Sequence, residues 1–159
     1  MKRGARFSRC GQYRYALTRE WDPAGSTCAF IGLNPSTADA YRDDPTIRRC
    51  IGFAKNWGHG KLLVVNLFAF RATYPADLKA AADPVGPRNN YWLRRLLKDC
   101  DIAIAAWGND GGLGDRDHYL RKLGIELHCL GVTKEHQPRH PLYARGNLLP
   151  KIFSCTCLN

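Results

Sequence analysis

Apolar and polar positions follow two rhythms along the chain, and each predicts an element type. Thr27–Gly32, Leu62–Leu67, Ile102–Trp107 and Ile125–Leu130 are short apolar runs bounded by turn residues. Such runs predict strands covered on both faces. The fourth is interrupted by Glu126 and His128, so it reads as a strand nearer an edge. Tyr13–Thr18 alternates, which fits an edge strand ended by Asp22-Pro23-Ala24-Gly25.

The segments between these strands carry helical spacing. Asp44 precedes Pro45 as an N-cap before a first-turn proline. Ile47, Cys50, Ile51 and Ala54 then share one face, and Gly58 and Gly60 end the helix. A short helix is expected near Leu78. A stronger one, from about Arg88 to Asp99, carries the stripe Trp92, Leu93, Leu96, Leu97 and Cys100. The loop Asn109–Gly114 leads into a helix with Leu120 and Leu123, and a short last helix is expected near Asn147–Phe153.

Strands and helices therefore alternate. That order predicts an α/β domain of three layers, α/β/α, with a mainly parallel four-stranded central sheet and an N-terminal edge strand or hairpin. The expected division is a basic N-terminal arm over residues 1–12, a single domain over 13–153 and a C-terminal tail over 154–159. Right-handed crossovers bring the carboxyl ends of the four strands to one sheet edge. The segments leaving those ends are Asn34-Pro35-Ser36, Asn66-Leu67-Phe68, Trp107-Gly108-Asn109 and Thr133–Tyr143. Open α/β sheets bind ligands at this edge.

Composition changes this picture in three ways. Lys and Arg number 24 against 14 Asp and Glu, a formal charge of +10, which favours nucleic acid or a nucleotide as partner. No apolar run reaches the ~20 residues of a membrane span, and Met1–Arg6 is basic with no apolar stretch behind it, so neither a membrane partner nor a secretory signal is expected. The seven cysteines are odd in number and lie mostly in apolar segments, which fits reduced thiols in a cytoplasmic protein. Cys155-x-Cys157 lacks a second ligand pair, so no metal and no cofactor is expected. The oligomeric state is left open.

Asn34 either caps the turn, as Asn before Pro commonly does, or holds a water or ligand. Asn66 ends an apolar strand, and its carboxamide needs partners for two donors and an acceptor, from a neighbouring loop or from a nucleobase edge. Pro138 between His136 and His140 argues against a helical metal pair, leaving His140 as a backbone-held loop residue or a donor to a leaving group. Gly108-x-x-Gly111-Gly112-x-Gly114 is a mobile loop or a phosphate cradle. Pro35, Ser36, Phe68, Arg71, Trp107 and Tyr143 are candidate substrate contacts, and Arg42, Arg139 and Arg145 are candidate phosphate contacts.

The strings Gly-Leu-Asn-Pro-Ser-Thr-Ala-Asp, Asp-Pro-Thr-Ile-Arg-Arg-Cys, Asn-Leu-Phe-Ala-Phe-Arg-Ala-Thr, Asp-Pro-Val-Gly, Ala-Trp-Gly and His-Pro-Leu-Tyr resemble domain-of-unknown-function family 1643 over roughly residues 13–153. More distantly, Gly32-Leu33-Asn34-Pro35, Asn66 and His140-Pro141 resemble, in kind and order, motifs of the uracil-DNA glycosylase superfamily. That resemblance implies a glycosylase-like α/β/α fold and hydrolysis of an N-glycosidic bond. It assigns water positioning to Asn34, base reading to Asn66 and stabilisation of the departing base to His140. Ser36 stands where the mismatch-type members carry Gly. Two other functions compete: a non-catalytic nucleic-acid-binding module on the same fold, and an enzyme on a free nucleoside or other small anion.

Overall fold

The structure, a computed structural model, describes residues 1–154. The strand at its centre is β3, Thr27–Gly32, whose Cys28, Ala29, Phe30 and Ile31 are all buried. Before it come β1 (Lys2–Phe7) and β2 (Arg14–Glu20). After it come α1 (Pro45–Asn56), β4 (Lys61–Asn66), α2 (Pro75–Ala80), α3 (Asn89–Leu97) and β5 (Ile102–Ala105). A 3₁₀ stretch, Gly108–Asp115, leads into α4 (Arg116–Arg121). The chain then forms β6 (Leu127–Cys129), a 3₁₀ turn at Pro141–Tyr143 and β7 (Lys151–Ile152).

The strands form one sheet in the order β1-β2-β4-β3-β5-β6-β7. The pairings β4·β3, β3·β5 and β5·β6 are parallel, whereas β1·β2, β2·β4 and β6·β7 are antiparallel. The expected four-stranded, mainly parallel sheet is thus corrected to a seven-stranded mixed sheet. The α/β class stands.

Alternate residues of the central strands serve opposite faces, as the period of two requires. Cys28, Phe30, Leu62, Val64 and Ile104 pack with Ile47, Cys50, Phe53 and Ala54 of α1. Ala29, Ile31, Leu63, Val65, Ala103 and Ala105 pack with Leu78 of α2, Leu93 and Leu97 of α3 and Leu120 of α4. One helix therefore covers one face and three cover the other. Each large side chain buried in this way contributes about 1.5–3 kcal/mol.

Three departures from the sequence pattern have physical causes. Residues 1–12, expected as an arm, contain β1. Apart from Phe7 its residues are basic or small, and none is buried, so no apolar alternation marks it. Its registry comes from the partner strand, with Gly4 opposite Thr18, and from Arg19, which is fully buried and reaches Gly4 O and Asp43. The helix expected at Asn147–Phe153 is absent. Pro150 cannot donate to a helical ladder and restricts its predecessor, and the segment instead pairs Lys151 and Ile152 with β6. The glycine-rich stretch 108–114 forms a 3₁₀ turn that is broken at Leu113 and Gly114, where the backbone leaves helical geometry. A Cβ at Gly111 would lie 2.1 Å from the Trp107 ring, so the glycine lets the backbone cross that indole. Cys155 and Cys157 lie outside the described residues.

Candidate functional site

The carboxyl ends of β3 and β4 meet in register, with Gly32 opposite Asn66. A Cβ on Gly32 would lie 2.7 Å from Asn66 Oδ1, so the glycine makes room for the carboxamide. Asn66 is buried, and its Nδ2 has no hydrogen-bond partner in the protein. Leaving a buried donor unpaired costs about 1–3 kcal/mol. The strand end behind it is fixed. Asn89 Nδ2 donates to Asn66 O and Leu67 O, both at 3.0 Å, and Arg116 Nε donates to Leu67 O at 2.9 Å.

Asn34 follows β3 in the Gly-x-Asn-Pro turn. Its Nδ2 donates to Ala72 O at 2.8 Å and to Pro35 O at 3.1 Å. Two carbonyl partners fix which end of the amide is nitrogen, leaving Oδ1 as the free acceptor.

His140 arrives from the long loop after β6. Its Nδ1 accepts from Leu142 N at 3.2 Å, so in the neutral ring the proton sits on Nε2. Burial holds its pKa below the ordinary imidazole value, against the opposing pull of Asp44. A neutral Nε2–H donor is therefore the favoured state. Arg49 of α1 clamps this loop, donating to Pro141 O and Ala144 O.

These groups line one cavity of about 460 Å³ between the sheet edge and the amino end of α1. Asn34, Ser36, Asn66, Trp107, His140 and Tyr143 all border it. Trp107 is locked, its Nε1 donating to Gln137 Oε1 at 3.0 Å and its ring meeting Phe153 edge-on. Tyr143 is exposed at 78% and lies tilted against His140, the ring centres 5.9 Å apart.

The other candidates lie outside this cavity. Phe68 is a core residue packed on the α2–α4 face. Pro35 is buried and contributes its carbonyl to Asn34 and to Ala72 N. Arg71 donates to Gly11 O, lies over the Phe7 ring and borders a second depression with Tyr74. Arg42 and Arg145 are exposed, and Arg139 donates to Val132 O.

Sequence reasoning missed three charged residues of the cavity wall, Asp44, Arg14 and the exposed Asp110. Asp44 caps α1, its Oδ1 accepting from Ile47 N at 2.8 Å, and it also borders the cavity, a dual position that a capping motif does not reveal. Arg14 opens β2, borders the cavity and is 2% exposed. In the sequence it reads as the outward residue of an alternating edge strand, but β1 on one side and β4 on the other make β2 an inner strand. Thr46 and Thr73 add hydroxyls. Among the described residues no group of three or more His, Cys, Asp or Glu is placed to hold a metal ion. Among the described residues no helix is long and apolar enough to cross a membrane.

Against known proteins, the family model described as protein of unknown function (DUF1643) matches residues 14–142. No curated protein and no solved structure matches the chain. The match covers most of the chain, and the chain belongs to the DUF1643 family.

Proposed function

We propose that this DUF1643 member is a glycosylase-like hydrolase that cleaves the N-glycosidic bond of a base in nucleic acid or in a nucleotide. One observation carries the reading: Asn34 and His140, from two loops, and Asn66, from the end of β4, border a single cavity at the carboxyl ends of parallel strands. Their free atoms differ in kind. Asn34 offers an acceptor, Asn66 an unpaired donor and neutral His140 an Nε2–H donor. An acceptor beside donors is what a nucleobase edge, itself a mixture of both, requires. The distant likeness of the three motifs to uracil-DNA glycosylases supports the same assignment.

The chemistry follows from those atoms. As the C1′–N bond breaks, its electron pair goes to the base, and the sugar becomes oxocarbenium-like. Asn66 and His140 donate to the base anion, and this interaction strengthens as charge develops. Asn34 Oδ1 orients a water toward C1′ but is too weak a base to deprotonate it. Asp44 and Asp110 are the cavity carboxylates; Asp44, fixed by its capping bond with its second oxygen free of protein hydrogen bonds, takes the proton as the water adds. The departing base is protonated from solvent after release.

The test is release of free base from a panel of nucleotides and of single- and double-stranded DNA carrying uracil, hypoxanthine or modified pyrimidines. Asn34→Ala and His140→Ala are each expected to lower the rate by about 10²–10⁴ with folding intact. No free base and no abasic product across the panel overturns the reading.

A further inference from the structure

Arg14 stands apart from the other buried arginines. Arg19 donates to Asp43, Gly4 O, Thr18 O, Asp39 O and Arg42 O. Arg116 reaches Leu67 O and Asn90 Oδ1. Arg14 makes a single side-chain hydrogen bond, Nη1 to Ala38 O at 2.8 Å, and its buried Nε has no partner. The ion pairs among the described residues are Arg3–Asp43, Arg19–Asp43 and His128–Glu126, none of which involves it. Burial pushes its pKa down to about 10, even with Asp44 pulling the other way. A guanidinium in that setting destabilises the fold unless an anion meets it.

We propose that Arg14 is the anion-binding end of the cavity, and that the ligand is a free nucleotide whose phosphate monoester sits on its guanidinium while the base lies between Asn34 and Asn66. The inference rests on the base-recognition reading above and narrows it from a base in a polymer to a nucleotide that enters whole. Arg14 is 2% exposed, so only a group that passes into the cavity reaches it. The backbone of a nucleic acid lying across the surface does not. The volume of about 460 Å³ falls in the range of small-ligand pockets. Planar guanidinium donors match phosphate oxygens in pairs, which fixes the nucleotide's direction as well as its charge.

The experiment compares wild type with Arg14→Met, which keeps the length and loses the charge, and with Arg14→Lys, which keeps the charge and loses the fork. Calorimetry and thermal shift are run with free bases, nucleosides, nucleoside 5′-monophosphates, inorganic phosphate and a single-stranded oligonucleotide. Monophosphates are expected to bind wild type more tightly than nucleosides do. Their affinity should fall about 100-fold in Arg14→Met and about 10-fold in Arg14→Lys, with nucleoside affinity unchanged. Without ligand, Arg14→Met should melt at or above the wild-type temperature, because an unpaired buried charge has gone. Equal binding of nucleosides and monophosphates overturns the inference and leaves base recognition standing. So does wild-type affinity for monophosphates in Arg14→Lys, which remains the test if Arg14→Met fails to fold. Binding of the oligonucleotide but not of monophosphates overturns it as well. Phosphate binding that is lost in Arg14→Met, with no response to bases or nucleosides, supports the anion site and removes the base reading. No binding by any of the five removes both.

Discussion

The candidate site is marked by atoms left without partners. Asn66 Nδ2 and Arg14 Nε are buried donors with nothing to bond, and both belong to residues bordering one cavity. Gly32 is what lets the first of them stand there, since a methyl group at that position meets Asn66 Oδ1 at 2.7 Å. Gly32→Ala is therefore expected to displace the carboxamide, lower stability by about 1–3 kcal/mol and abolish ligand-induced thermal stabilisation; calorimetric melting with and without nucleotide reads both effects. His140 adds a pH dependence. Its folded pKa lies below its unfolded value, so across that interval the unfolded state binds more protons and stability rises with pH. Wild type should thus lose stability as pH falls through about 6.5, the ordinary imidazole value. His140→Gln should lose less over the same window. Parallel melting curves for the two proteins between neutral and mildly acid pH contradict the assignment.

At the level of elements, α1 carries two jobs in one residue. Asp44 caps its amino end and faces the cavity. Asp44→Ala is expected to cost about 1 kcal/mol in denaturant unfolding, whereas Asp44→Asn, which still caps, should be near neutral. Both should slow base release if Asp44 takes the proton, so Asp44→Asn separates stability from chemistry. The β1–β2 hairpin depends on a different carboxylate. Asp43 accepts from Arg3 and from fully buried Arg19, each at 2.9 Å. Asp43→Ala strands the Arg19 Nε in the interior and should cost about 3–5 kcal/mol, while Arg3→Ala, at the exposed end of the network, should cost under about 1 kcal/mol.

Elements were legible where the apolar pattern alone decides. β3 runs over the expected residues, and Asp44 and Pro45 start α1 as their capping chemistry requires. β1 was not legible, because its partners are a neighbouring strand and a buried arginine rather than its own side chains. β7 was not legible either, since two exposed residues carry no periodic signal. In the site, Asn34, Asn66, Trp107 and His140 could be read from strand ends. Arg14 could not, because a charged residue in an alternating strand looks solvent-facing until the sheet's other members are known.

For the whole molecule, the parallel core β4-β3-β5-β6 places four loops on one edge, and the antiparallel strands around it widen the sheet. The added β2 brings Arg14 to the cavity, so the extension contributes to the site as well as the core. Most of the side chains that make up the net charge of +10 lie outside the buried interior, whereas Arg14 is inside it. Oligonucleotide association should accordingly weaken steeply with salt, and nucleotide binding in the cavity should weaken far less; a matched salt titration of the two separates surface from site. The most direct measurement of the central claim is chromatographic detection of free base from nucleotide and DNA substrates, with wild type and His140→Ala side by side. The account predicts free base from at least one substrate, reduced by orders of magnitude in the variant while the variant remains folded. Absence of free base from every substrate, or equal release by both proteins, contradicts it.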